Sequence, residues 1–288
     1  MKRYLTCIFI FILAVQGLVI AQQNDDEQML NALNKLIEEN PKDISSYTNR
    51  GLLYLSRGKY ENAIDDFNEI IKLNPKGTDG YLYRGLVFIS MSEYEDALSD
   101  FDYLLKINDK SKEGYIGRAL SYYGMGKYDE AITDNEAAIK IGPGDQLGYV
   151  NLSKALIAGG YSSRAIDSID EMYGKFSDSS DDLYQDMSSL KILRDSFRRL
   201  NRFPDIESLE DIANRAYDKK DYEKAREYYS AILILDPTDE ITVYDMAMCL
   251  WDSGDKAGAL FYLMRYLYLN PDAEDEKEIL GYIDELSR

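Results

Sequence analysis

Four segments of this chain repeat one pattern at a fixed interval: Tyr47-x3-Gly51-x2-Tyr54, Tyr81-x3-Gly85-x2-Phe88, Tyr115-x3-Ala119-x2-Tyr122 and Tyr149-x3-Ser153-x2-Leu156 each begin 34 residues after the one before. A period of that length marks a stacked helical array, in which each unit buries its apolar face only against its neighbours. Within a unit the apolar residues recur at three- and four-residue spacing, broken once near position 15 by Gly58, Ser92, Gly126, Gly160, Lys220 or Gly254. Two short helices joined by a tight turn is the plain reading. With the closing proline as position 32, Pro75, Pro143, Pro237 and Pro271 end units that begin at Ile44, Lys112, Ile206 and Glu240, while Asp109 replaces the proline of the unit starting at Thr78.

The pattern resembles the tetratricopeptide repeat family. The residues that carry the likeness are large apolar groups at position 4, small ones at position 8 (Gly51, Gly85, Ala119, Ser153, Ala213, Ala247) and alanine at position 20 (Ala63, Ala97, Ala131, Ala165, Ala225, Ala259). Small residues there let the paired helices approach closely, and an aromatic at position 24 (Phe67, Phe101, Tyr229) fills the space toward the neighbour. Asn135 stands where that aromatic is expected; a satisfied amide contact and a looser joint both remain open. The resemblance implies an all-α fold, a right-handed superhelical solenoid of antiparallel helix pairs.

One correlation runs through the units. Arg50, Arg84 and Arg118 at position 7 occur with Asp66, Asp100 and Asp134 at position 23, whereas the other units carry Leu152, Ile212 or Met246 with Ser168, Tyr228 or Tyr262. Both partners are present together or absent together, so the spacing predicts structural ion pairs tying the two helices of a unit.

Residues 22–176 read as an N-terminal capping helix (Met29, Leu33, Leu36, Ile37, then Pro41) followed by four units, 44–77, 78–111, 112–145 and 146–176. The fourth is degraded, with Ile169 for the aromatic and Gly174 instead of a terminal helix turn. Pro143 to Pro237 spans 94 residues, two periods plus 26, so the register fails there. Residues 177–205 fit a polar loop at Ser177–Ser180 and a single amphipathic connecting helix, with a bend or domain boundary expected. Two further units (206–239 and 240–272) and an acidic closing helix complete the chain, which thus forms two blocks joined by a longer helix. On that helix Arg194, Arg198, Arg199 and Arg202 make a basic cluster, read as complementing the helix C-terminus and a solvated face; docking onto acidic surface, the second block included, is the alternative.

Lys2 and Arg3 precede an almost wholly apolar run from Tyr4 to Ile20, and Val19-Ile20-Ala21 offers a cleavage site. Residues 1–21 therefore read as a signal peptide cut near Ala21, which places the protein in the periplasm or outside the cell; an uncleaved membrane anchor is the alternative. Losing Lys2 and Arg3 moves the net charge from −19 to −21, which argues against nucleic acid and against direct lipid binding. Only Cys249 remains after cleavage, so no intrachain disulfide forms. The chain has no histidine, which removes the commonest general base and the commonest transition-metal ligand. Neither a phosphate-binding glycine loop nor a serine elbow nor a calcium loop is present. The expectation is a non-enzymatic protein without catalytic residues, cofactor or metal; a carboxylate-based hydrolase is the competing class.

In the family it resembles, the first helix of each unit lines a concave surface. Carried onto the first block, that implies a partner-binding groove of Thr48, Asn49, Leu52, Leu82, Tyr83, Leu86, Ile116, Leu120, Tyr123 and Asn151, apolar and aromatic with a few amides. Such a groove suits an extended peptide or an amphipathic helix. Carried onto the second block, it implies an acidic groove of Glu207, Glu210, Asp211, Asn214, Asp245 and Trp251. From Ile206 onward 20 acidic and 9 basic residues leave a net of −11, so a cationic protein or peptide partner is expected there. One subset of the family grips a terminal carboxylate with lysine and asparagine; Ser45, Tyr83 and Gly117 occupy the corresponding places and do not support that mode.

Overall fold

The computed structural model describes residues 23–176, 184–271 and 273–286, so the expected signal peptide and the polar loop at Ser177–Ser180 lie outside the described residues. Among the described residues there are fifteen helices and no strand. In chain order they are α1 (Gln23–Glu39), α2 (Ile44–Leu55), α3 (Tyr60–Leu73), α4 (Asp79–Ser90), α5 (Tyr94–Ile107), α6 (Lys112–Gly124), α7 (Tyr128–Ile141), α8 (Gln146–Ala158), α9 (Ser162–Phe176), α10 (Tyr184–Leu200), α11 (Ile206–Asp218), α12 (Tyr222–Leu235), α13 (Glu240–Asp252), α14 (Lys256–Leu269) and α15 (Glu276–Leu286).

The turn inside each unit is set by one backbone conformation. Gly58, Ser92, Gly126, Gly160, Lys220 and Gly254 all have positive φ, between 59° and 90°, in the left-handed region that stops a helix and reverses the chain. Several helices, at the start of a unit or after its turn, are begun by side-chain caps. Asp205 accepts from the Ser208 amide at 2.9 Å, Asp239 from Thr242 at 2.7 Å and Asp255 from Gly258 at 2.9 Å, each satisfying a donor the helix itself leaves unpaired.

All six alanines at position 20 are fully buried, as are Phe67 and Phe101. A methyl group on Gly85 would sit 2.8 Å from the Phe101 ring, and one on Gly117 only 2.3 Å from it. Phe101 is thus wedged between α4 of its own unit and α6 of the next, and one residue couples two interfaces. The joint before it is built the same way, with Tyr83 packed on Phe67 at 5.4 Å between ring centroids.

The fourth unit is more regular than its sequence suggests: α9 runs through Gly174 to Phe176 as continuous helix. Glycine costs about 1 kcal/mol in a helix interior, which buried Ile169 and Met172 readily offset. After it the stacking changes. α10 lies chiefly against α12, with Ser189 donating to the Glu227 carbonyl at 2.8 Å, and α12 also touches α8 of the first block. The second block therefore folds back over the first, and α8 is buried on nearly all sides. At the chain ends Leu33 and Ile37 of α1 and Ile279 and Leu286 of α15 are buried, whereas Met29 and Leu36 are exposed.

Candidate functional site

The inner face of the first block is closed. Leu82, Tyr83, Leu86, Ile116 and Asn151 are buried, Thr48, Leu52, Leu120 and Tyr123 are half-buried, and only Asn49 is exposed. Part of this is the array's own packing, because position 6 of one unit meets position 24 of the preceding one, as Tyr83 meets Phe67. The second block also reaches the first, at Tyr123 and at the turns inside the units. Leu260 of α14 sits over Gly58, leaving no room for a side chain there, Tyr268 packs edge-on to Tyr94 at 5.0 Å, and Tyr123 donates to the Leu233 carbonyl of α12 at 3.5 Å. Arg265 donates to the Tyr94 hydroxyl at 3.4 Å and to the Pro237 carbonyl at 2.7 Å. Burial works against its charge, and the surrounding Tyr94, Tyr123, Tyr262 and Tyr128 favour it. Sequence reasoning missed this closure, since Leu260, Arg265 and Tyr268 look like ordinary helix residues.

The arginines and aspartates at positions 7 and 23 meet in two-pronged pairs. Arg50 reaches Asp66 at 2.9 and 2.6 Å, Arg84 reaches Asp100 at 2.8 and 2.6 Å, and Arg118 reaches Asp134 at 2.7 and 2.8 Å. Burial pushes the Asp66 and Asp100 carboxyls up, and their guanidinium partners pull them back. Each arginine has a third partner in the preceding unit: Asn34 at 2.7 Å, Asn68 at 2.5 Å and Asp102 at 2.8 Å. These three also stand 34 residues apart, so the signal was present in the sequence. Each guanidinium further lies against rings of its own helix, Arg50 against Tyr47 and Tyr54 and Arg84 against Tyr81 and Phe88. The ladder ties helix to helix and unit to unit.

The basic cluster is divided. Arg198 pairs with Asp170 of α9 at 2.5 Å, and Arg194 lies 3.7 Å from the same carboxylate and 4.6 Å from the Tyr173 ring. Arg199 and Arg202 are exposed. The acidic surface these arginines meet belongs to the first block, and it fixes α10 against α9.

The second block keeps an accessible inner face. Glu207, Asp211 and Asn214 are exposed on α11, and Glu210, Asp245 and Trp251 are half-buried. Asn214 accepts from the Tyr229 hydroxyl at 2.6 Å, and Tyr217 donates to Asp252, which holds the phenolic proton tightly. Trp251 meets Tyr282 of α15 edge-on at 5.4 Å. Burial, then Glu210 and Asp239, push the Asp245 carboxyl up to about 6. The arrangement is an acidic wall over an aromatic floor, able to take cations but, among the described residues, without a cluster of ligands fit to hold a metal.

Sequence models described as tetratricopeptide repeat match residues 44–76, 82–146 and 210–274. The chain belongs to the tetratricopeptide repeat family. The matches fall in both blocks and leave residues 147–209 between them unmatched, which is the fourth unit, α8 and α9, together with α10. Among solved structures, the Cut9–Hcn1 hetero-tetramer of the APC/C is similar with a TM-score of 0.53 at 12% identity, over 91% of this chain and 46% of that one, so this chain spans less than half of it. A tetratricopeptide repeat protein from Parabacteroides merdae matches with a TM-score of 0.48 at 19% identity, over 91% and 79% of the two chains. MamA matches with a TM-score of 0.48 at 21% identity, over 54% of this chain and 91% of that one. At these identities the likeness is of fold alone. No curated protein matches the sequence. Tetratricopeptide repeats are generally protein-interaction scaffolds, and their presence here supports that role for this chain.

Proposed function

We propose that this protein is an exported, non-enzymatic scaffold that holds a cationic segment of an envelope or secreted partner in the groove of its second block. The observation that carries the reading is the contrast between the two inner faces. The first block buries five of its ten expected binding residues and leaves only Asn49 exposed, whereas α11 presents Glu207, Asp211 and Asn214 to solvent beside half-buried Glu210, Asp245 and Trp251. Carboxylates over aromatic rings recognise lysine and arginine through charge and through the ring faces. Export rests on the basic and apolar N-terminus alone; sequencing the secreted protein from its N-terminus should start at Gln22, and a start at Met1 refutes cleavage.

The binding reading is tested with a lysine-rich helical peptide and its glutamate-for-lysine counterpart on the full chain. Only the basic peptide should bind, more weakly as salt rises, and Glu210→Lys with Asp211→Lys should lower its affinity at least tenfold while circular dichroism stays unchanged. Equal binding of both peptides, or an unaffected double variant, refutes it.

A further inference from the structure

One gap remains in the closed face of the first block, at the joint between the third and fourth units. In the two preceding joints, position 24 and the following position 6 pair Phe67 with Tyr83 and Phe101 with Gly117. Here the same two places hold Asn135 and Asn151, 2% and 6% exposed. Asn135 Nδ2 donates to the Ala131 carbonyl at 2.9 Å, which fixes its amide orientation and leaves Oδ1 as a buried acceptor without a partner. Asn151 Nδ2 is a buried donor, likewise without a partner. Both residues line one narrow, half-open pocket together with Ala119, Leu120, Tyr123 and Lys154.

Two unpaired buried amide atoms are costly, and an all-apolar joint of the kind used elsewhere in this array avoids that cost. A joint that gives up the aromatic and leaves one acceptor and one donor in the same pocket is built for a group that offers both. A trans peptide unit directs its N–H and C=O to opposite sides. A primary carboxamide carries them side by side in one plane, so a single group can donate to Asn135 Oδ1 and accept from Asn151 Nδ2. Ala119 and Leu120 supply apolar wall for the methylenes that would precede it.

We propose that this joint is a side-chain carboxamide pocket, which takes a glutamine or asparagine of a protein partner. The site lies in the first block and does not depend on the acidic groove, so either can fail alone. The test uses the full chain labelled with ¹⁵N at asparagine, whose side-chain amide signals report the pocket directly, with Asn135→Phe and Asn151→Asp to assign them. N-acetyl-glutamine amide is titrated in, against N-acetyl-glutamate amide and N-acetyl-norleucine amide. The glutamine compound should shift the Asn135 and Asn151 signals saturably at millimolar concentration, and the other two should bind at least fivefold more weakly. Asn135→Phe, which copies Phe101 and should fold at least as well as the parent, abolishes the shift, and Asn151→Asp, which keeps the size but loses the donor, reduces it at least fivefold. Equal response to all three compounds, a shift that survives Asn135→Phe, or no response because ordered water alone satisfies both amides overturns the proposal.

Discussion

Replacing Arg84 by alanine strands Asp100. Its two carboxylate oxygens receive bonds of 2.8 and 2.6 Å from that one guanidinium, and only 5% of its side chain is exposed. Breaking a buried pair from one side costs about 3–5 kcal/mol, far more than the pair contributes over an uncharged alternative. Arg84 itself is 24% exposed, so water reaches part of the vacated space and the expected cost lies near the lower bound, about 3 kcal/mol. The chain supplies its own control in Leu152 and Ser168, which hold the same two positions without charge. Arg84→Leu with Asp100→Ser should therefore recover at least half of the loss. Because an array opens locally, urea midpoints from circular dichroism are read together with amide hydrogen exchange in α4 and α5, where protection should fall first. A single substitution that costs less than about 1 kcal/mol, or a double variant no more stable than Arg84→Ala, would refute the stranded-charge reasoning.

Phe101→Ala should cost about 3–5 kcal/mol in thermal or urea unfolding, because the ring fills two interfaces at once; a loss below about 1 kcal/mol would mean that α4 and α6 collapse together without it. Asp245 titrates at about 6 in the folded chain against about 3.9 when unfolded. The native state therefore binds the extra proton between those values, and stability falls as pH rises through that window. Asp245→Asn should raise stability at pH 7 by about 1–2 kcal/mol, less than the full shift because the group is partly solvated, and flatten the melting temperature between pH 4 and 6; an unchanged pH profile refutes the assignment. The same protonation should weaken capture of the lysine-rich peptide as pH drops below about 6, measured by calorimetry at constant ionic strength.

The period made most of the fold legible, since six units acted as an alignment of the chain with itself and the apolar spacing within each unit gave the helix pairs and their turns. The partners at positions 7 and 23 were legible for the same reason. Asn34, Asn68 and Asp102 were as regularly spaced, but one position supplying two amides and one carboxylate does not announce a common role. Asn135 looked anomalous alone and becomes intelligible only beside Asn151, sixteen residues on, because the joint between units pairs position 24 with the next position 6. What no periodicity carried was the return of α12 and α14 onto the first block. That contact joins residues more than a hundred positions apart, Tyr123 with Leu233 and Tyr94 with Arg265, and depends on where α10 directs the chain.

Open stacks tolerate gain or loss of a whole module, because each layer asks only for a neighbour. This one has a fixed count. Duplicating or deleting any single unit between Tyr94 and Leu260 would swing the distal helices around the spiral axis and carry Arg265 away from its ring of phenols, so the latch that shuts the first block also sets how long the array can be.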